Sequence, residues 1–247
     1  MKKLGKSTIV LLALAAILLV GSAVGSTRAA LTYYSEYYGA EITVSNIGVS
    51  LIENDELISF RNYDSEGNWN IQDGELLANM LAEDEKLTLG KDYKEELKVL
   101  NSGEIESYVR VILTKNWVNE AGVPDQTLDP GLIELEIVDN NGWVVDEKAS
   151  TPERTVLYYT KKLDVNSETT PFTSTLSINP ILQTKFIKHV EKDGNFENIS
   201  YEYEYDGYSF NVEVEADAVQ THNAVDAIKS AWGVDVTVAG DGSISLQ

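Results

Sequence analysis

Short runs of alternating polar and apolar residues, broken again and again by turn residues, constrain this chain more than any other feature. Ser107 to Lys115 sets Val109, Val111 and Leu113 against Tyr108, Arg110 and Ile112. Tyr93 to Leu100 sets Tyr93, Leu97 and Val99 against lysines and glutamates, and Asn101-Ser102-Gly103 follows as a turn signal. Glu41 to Glu53 alternates through Ile42 and Val44, then Val49 and Leu51, with a shift at Asn46 to Gly48 that reads as a bulge or turn. Further β-type runs lie at Leu132–Val138, Trp143–Asp146, Thr155–Leu163, Thr173–Ile178, Thr184–Val190, Ser200–Tyr205 and Tyr208–Ala216. A period of two places every second side chain on one face, so such runs read as half-buried strands. About ten of them at close spacing predict an all-β, antiparallel β-sandwich.

Two short helices interrupt the pattern. Gly74 to Glu85 carries Leu77, Met80 and Leu81 at helical spacing. Later, Asn223 is a candidate cap, Asp226 sits in the first turn, and Val225, Ile228 and Trp232 share a face before Gly233. Val234–Val238 and Ser243–Leu246 read as a closing hairpin around Gly240-Asp241-Gly242, and Asp64–Asn70 as a loop. No linker or repeat divides the chain, so residues 30–247 read as one domain.

The N-terminus carries a different signal. Lys2, Lys3 and Lys6 precede an apolar run from Ile9 to Val20, and small residues follow. This is the layout of a secretory signal peptide over residues 1–29, with cleavage between Ala29 and Ala30. The competing reading is a retained anchor, because Ser7 to Thr27 is uncharged over 21 residues. Cleavage removes four positive charges and takes the net charge from −21 to −25. A surface this acidic repels nucleic acid and anionic lipid, so a membrane is expected only through the signal segment. The absence of cysteine excludes disulfides, thiol catalysis and cysteine–metal sites. A cysteine-free, lysine-led export layout fits a Gram-positive surface protein.

Little in the chain carries chemistry. The two histidines, His189 and His222, stand outside any H-E-x-x-H pattern, and there is no G-x-S-x-G, Walker loop or G-x-G-x-x-G. The acidic pairs Glu95/Glu96, Glu134/Glu136 and Glu202/Glu204 read as solvated faces, and Asp139-Asn140-Asn141-Gly142 as a turn. Trp117 and Trp143 read as packing residues. No catalytic residue, cofactor or metal is expected. The segment Ala30–Tyr38 stands apart: Leu31, Tyr33 and Tyr37 fall on one face, Tyr34 and Tyr38 on the other, with Glu36 as its one charge. It pairs either within its own sheet or with a neighbouring molecule by strand addition.

Three stretches together resemble the TasA/camelysin family of exported bacterial surface and biofilm-matrix proteins. They are Gly25 to Leu31 at the cleavage region, Ala40–Val44 continuing to Val49–Leu51, and Leu97–Gly103 followed by Tyr108–Val111. The resemblance implies a jelly-roll sandwich, processing by a dedicated signal peptidase, and a secreted or cell-surface location. For the family's fibre subunits it implies assembly through an N-terminal donor strand, here Ala30–Tyr38. Some members are described as metallopeptidases. The expected role is a structural surface or matrix protein that associates with itself or with other matrix proteins. The alternative is an adhesin-like module for a glycan or protein, and a camelysin-like peptidase is a third reading.

Overall fold

A computed structural model of the chain describes residues 47–63, 68–72, 74–82, 85–193 and 196–247. The signal segment, the cleavage site and Ala30–Tyr38 lie outside the described residues. The fold is mostly β, with antiparallel strands throughout. In chain order they are β1 (Val49–Glu53), β2 (Glu56–Tyr63), β3 (Trp69–Gln72), β4 (Tyr93–Lys94), β5 (Leu97–Asn101), β6 (Ser107–Val118), β7 (Ile133–Ile137), β8 (Trp143–Val145), β9 (Arg154–Tyr159), β10 (Thr173–Ile178), β11 (Phe186–Asp193), β12 (Phe196–Tyr203), β13 (Ser209–Gln220), β14 (Val236–Val238) and β15 (Ile244–Leu246). One α-helix, α1 (Ala224–Trp232), falls between β13 and β14.

While β11–β12 and β14–β15 are separate two-stranded hairpins, the other strands form two facing layers. One runs β3-β2-β1-β5, and β4 continues β5 after a break at Glu95–Glu96 and pairs with β10, which pairs with β7. Residues 169–174 tie the two parts of this layer together: Thr169 N–H donates to Val99 O (2.8 Å), Phe172 N–H to Leu97 O (2.9 Å) and Glu95 N–H to Ser174 O (2.9 Å). The other layer runs β13-β6-β9-β8, and β13 keeps register with β6 over twelve residues. The alternation in the sequence supplies the core between them. Leu97 and Val99 point inward from one layer, Val109, Val111 and Leu157 from the other, and all five are fully buried. Removing that apolar surface from water contributes roughly 25 cal/mol per Å² and drives the two layers together.

Trp117 and Trp143 are core residues, as their flanking strands imply. Each satisfies its indole N–H on a backbone carbonyl, Trp117 on Asp129 O (2.8 Å) and Trp143 on Thr170 O (2.7 Å). Asn101 closes β5 as the turn signal predicts. Its amide donates to Ile105 O (2.8 Å) and Leu163 O (2.9 Å), and its oxygen accepts from Gly103 N–H (3.0 Å), all at a buried position. Asn101→Ala would remove all three bonds, although Leu163 O keeps Ser107 N–H (3.1 Å) and Gly103 N–H keeps Gly48 O (3.1 Å), so a loss of about 1–2 kcal/mol is expected in urea unfolding. A loss below 0.5 kcal/mol would show that water replaces the amide.

Four local expectations need correction. Gly74–Glu85 is not a helix, since the described residues there form turns. Leu77 takes a left-handed φ of 66° and donates its N–H to the Glu53 carboxylate (2.7 Å) instead of to a carbonyl one turn back. The leucine spacing still marks packing, because Leu76, Leu77 and Met80 rest against the core. The second correction concerns β2 and the start of β3, where no strand is expected from the sequence. Asn54 and Asp55, at φ 51° and 72°, form the two-residue turn that folds β2 back on β1. Third, Asn223 does not cap α1. It is left-handed, and its side chain donates to Asp226 (2.8 Å). Finally, the buried face of α1 carries Ala224 and Ile228, while Val225 is exposed. Gly233, at φ 75°, ends the helix as expected. The helix and the β14–β15 hairpin cover Tyr108 and Val219 on the outer face of the second layer.

Candidate functional site

Among the described residues the two layers do not close along β13. Among the described residues β13 pairs with β6 alone, so its other edge carries unpaired backbone groups. Beside that edge lies a groove of about 840 Å³. Its walls are Leu51 of β1, Ile58 of β2, Leu76 and Leu77 of the 74–80 turn, and Val212 and Val214 of β13. A second hollow of about 330 Å³ shares Leu51, Ser59 and Val214 with it and extends toward Ile71 and Ala216. Glu75 and Glu213 stand in the larger groove as its acidic groups. Apolar walls beside an open strand edge suit an extended segment that adds backbone hydrogen bonds on one side and side chains on the other.

At the end of β1 the groove meets a feature that sequence reasoning missed. Glu95, expected on a solvated face, is fully buried in the core. It falls in the frame Tyr93, Glu95, Leu97, Val99, Asn101, whose members are all buried. Neither of its carboxyl oxygens has a hydrogen-bond donor. Burial, and then the neighbouring acid Glu53, pushes its pKa up to about 8. The pattern contained the clue, since the apolar residues on either side place Glu95 inward.

The other acidic pairs are solvated as expected. Glu134 and Glu136 are exposed and accept from Asn179 (2.7 Å) and Ser174, and Glu202 and Glu204 are exposed. Asp139–Gly142 forms the expected turn, with Asn140 at φ 61° and Gly142 at φ 112°. His189 is exposed on β11, with Nε2 2.9 Å from Glu202 Oε2, and His222 is exposed just before α1. Among the described residues no three of His, Asp and Glu converge on one point, and no helix is long and apolar enough to cross a membrane.

The β11–β12 hairpin is a second candidate surface. Its register puts Phe186, Val190, Ile199, Tyr201 and Tyr203 on one face with Lys188, Lys192 and Glu197. The opposite face carries Ile187, His189, Glu191, Asn198, Ser200 and Glu202. Phe186 packs edge-on to Tyr201, with ring centroids 5.0 Å apart, yet both rings remain exposed. A two-stranded hairpin is marginal in water, so an exposed apolar face on one is a surface for contact. No protein-family model, curated protein or solved structure matches this chain.

Proposed function

We propose that this protein is an exported surface or extracellular-matrix structural protein, without enzymatic activity, that assembles by strand donation. The observation that carries the reading is the groove of mixed apolar and polar lining beside the edge of β13 that is unpaired among the described residues. A structural subunit needs a surface that accepts another chain in a repeatable register, and an unpaired edge over a trough with leucine, isoleucine and valine walls suits one. The proposed occupant is Ala30–Tyr38 of a neighbouring molecule. Nine extended residues span about 30 Å, within the roughly 40 Å of a twelve-residue strand such as β13. Leu31, Tyr33 and Tyr37 on one face would enter the trough while Tyr34 and Tyr38 face out. This agrees with the resemblance to the TasA/camelysin family, its jelly-roll sandwich and its signal-peptidase processing at Ala29–Ala30.

Electron microscopy of the protein purified from Ala30 onward tests the reading. Fibres are expected, and more of them at high salt, which screens the net charge of −25 that opposes association. Deleting residues 30–38 should leave a folded monomer. If the deleted form assembles as well as the intact one, strand donation is wrong. If it unfolds, the segment belongs to the molecule's own sheet.

A second reading rests on the hairpin. The exposed rings of Phe186, Tyr201 and Tyr203 form a platform of the kind that stacks on sugars or packs on a protein. Stable monomers that bind a glycan or surface protein, and lose binding on Tyr201→Ala, would favour the adhesin-like role. Trp117 and Trp143 play no part in it, because both are buried.

A further inference from the structure

Glu53 and Glu95 link the buried core to one wall of the groove. Glu95 is fully buried and both its oxygens lack donors. Glu53, itself buried at the end of β1, faces it and accepts from Leu77 N–H at 2.7 Å. Leu77 sits in the left-handed region, which a leucine adopts at a cost, so contacts beyond its own backbone preference hold it there. Two ionised carboxylates cannot share such a place, since each opposes the other and burial opposes both. One proton resolves the conflict. A proton on Glu95 would let its O–H donate to Glu53 and leave Glu53 its hold on Leu77.

We propose that Glu53 and Glu95 form a proton-sharing latch that fixes the 74–80 turn as a wall of the groove, and that loss of the proton as pH rises releases that wall. The proposal rests on the preceding reading for what the groove receives, whereas the latch itself needs no assembly.

The surroundings offer no substitute for the proton. Among the described residues no lysine or arginine ion-pairs with either acid. Tyr93, on the same strand face, has its hydroxyl engaged by Thr88 N–H (2.8 Å). From the β10 side the neighbours are Thr173 and Ser174, both uncharged, and Thr173 donates to the Glu95 carbonyl (2.7 Å). Lys94, Glu96 and Lys98 lie on the opposite face of the strand and pair among themselves and with Asp55. From the turn, Glu75 lines the groove and adds a further negative charge.

Hydrogen–deuterium exchange of residues 74–82 in the full chain, between pH 6 and pH 9.5 and corrected for the intrinsic rate, tests the latch. Protection should fall roughly tenfold per pH unit from pH 6 to about pH 8, as opening releases the proton that the latched state holds, and level off above that. Glu95→Gln, whose amide N–H donates to Glu53 in the proton's place, should hold protection constant to pH 9.5. Flat protection in the wild type, or an unchanged pH dependence in Glu95→Gln, overturns the proposal. Should that variant fail to fold, infrared spectroscopy of the wild type decides. A protonated-acid carbonyl band at pH 7 that vanishes by pH 9.5 supports the latch, and its absence at pH 7 overturns it. Millimolar calcium that restores protection at pH 7 to a chain lacking that band would assign the pair to a cation and also overturn it. None of these readouts involves fibres, so failure of the latch and failure of strand donation are separable.

Discussion

Replacing Trp143 with alanine is expected to lower the unfolding free energy by about 3–5 kcal/mol, and the melting temperature by roughly 10 °C or more. Trp143 is 2% exposed on β8 and joins three parts of the sandwich. Its ring meets Tyr159 of β9 at 5.1 Å and Phe172 of the 169–174 segment at 5.3 Å, the latter edge-on. Its N–H is held by Thr170 O, while Thr170 donates its hydroxyl to Asn141 O (2.8 Å) and Asn141 donates its amide to Pro171 O (3.0 Å). The truncation therefore removes a large apolar volume, two aromatic contacts and the partner of a carbonyl at once. Trp143→Phe separates these contributions, since it keeps a ring and loses the N–H, and a cost of about 1–3 kcal/mol is expected. Urea unfolding of both variants measures the difference. A cost below 1 kcal/mol for Trp143→Ala would mean that β8 is not part of the cooperative core.

The alternation that marks Trp143 as a packing residue made most of the fold readable, because a period of two is the direct consequence of one buried face. β6, β10 and the β14–β15 hairpin lie where the pattern places them, and the core they build contains Val109, Val111 and Leu176. The pattern failed where two geometries share a signature. Leu77, Met80 and Leu81 have helical spacing, but a tight turn brings residues three apart together just as a helix does, and Met80 N–H bonds Leu77 O at 3.1 Å. β2 was hidden for a different reason. Asn54-Asp55 makes a two-residue hairpin without the glycine that usually announces one.

The candidate site was less legible than the fold. A groove between layers depends on which strands end up facing each other, and no local pattern specifies that. Leu51, Ile58 and Val214 lie in three strands distant in sequence, and each reads singly as an ordinary core residue. The hairpin shows the same limit. The strand period locates β11 and β12, but only the three-dimensional arrangement leaves Phe186, Ile199, Tyr201 and Tyr203 uncovered. Glu95 is the instructive case. Reading acids as outward-facing put it with Glu96 in solvent, while the positional frame that makes Leu97 and Val99 buried places Glu95 with them. Where residue type and strand phase disagree, phase decided the position, and the disagreement marked the buried acidic pair behind the groove wall at Leu77.

That disagreement sets the second large effect, a fall in stability as pH rises from about 5 to about 8. Glu95 has its folded pKa raised from 4.5 to about 8 by burial and by Glu53. Between those values the native state holds a proton that the unfolded chain has released. Stability from this group is therefore fully present below 4.5 and is lost progressively as pH climbs toward 8. Each pH unit in that window removes up to about 1.4 kcal/mol, so the whole window accounts for at most several kcal/mol. Other carboxylates act in the opposite sense. Asp55, held below its usual range first by its hydrogen bond from Lys98, and Asp125, held there by Thr127, favour the fold above their unfolded pKa and lose that contribution in acid. The two trends place the stability maximum near pH 5. Glu95→Gln should be about as stable as the wild type at pH 5 and more stable at pH 8, with a nearly flat profile between, because the amide never ionises. Thermal melts of both proteins across pH 4–9 measure this. Parallel profiles for the two would show that Glu95 is already ionised in the native core and that its charge is satisfied there. In that event the inward phase of β4 and β5 at residue 95 would have to serve a bound cation and not a proton.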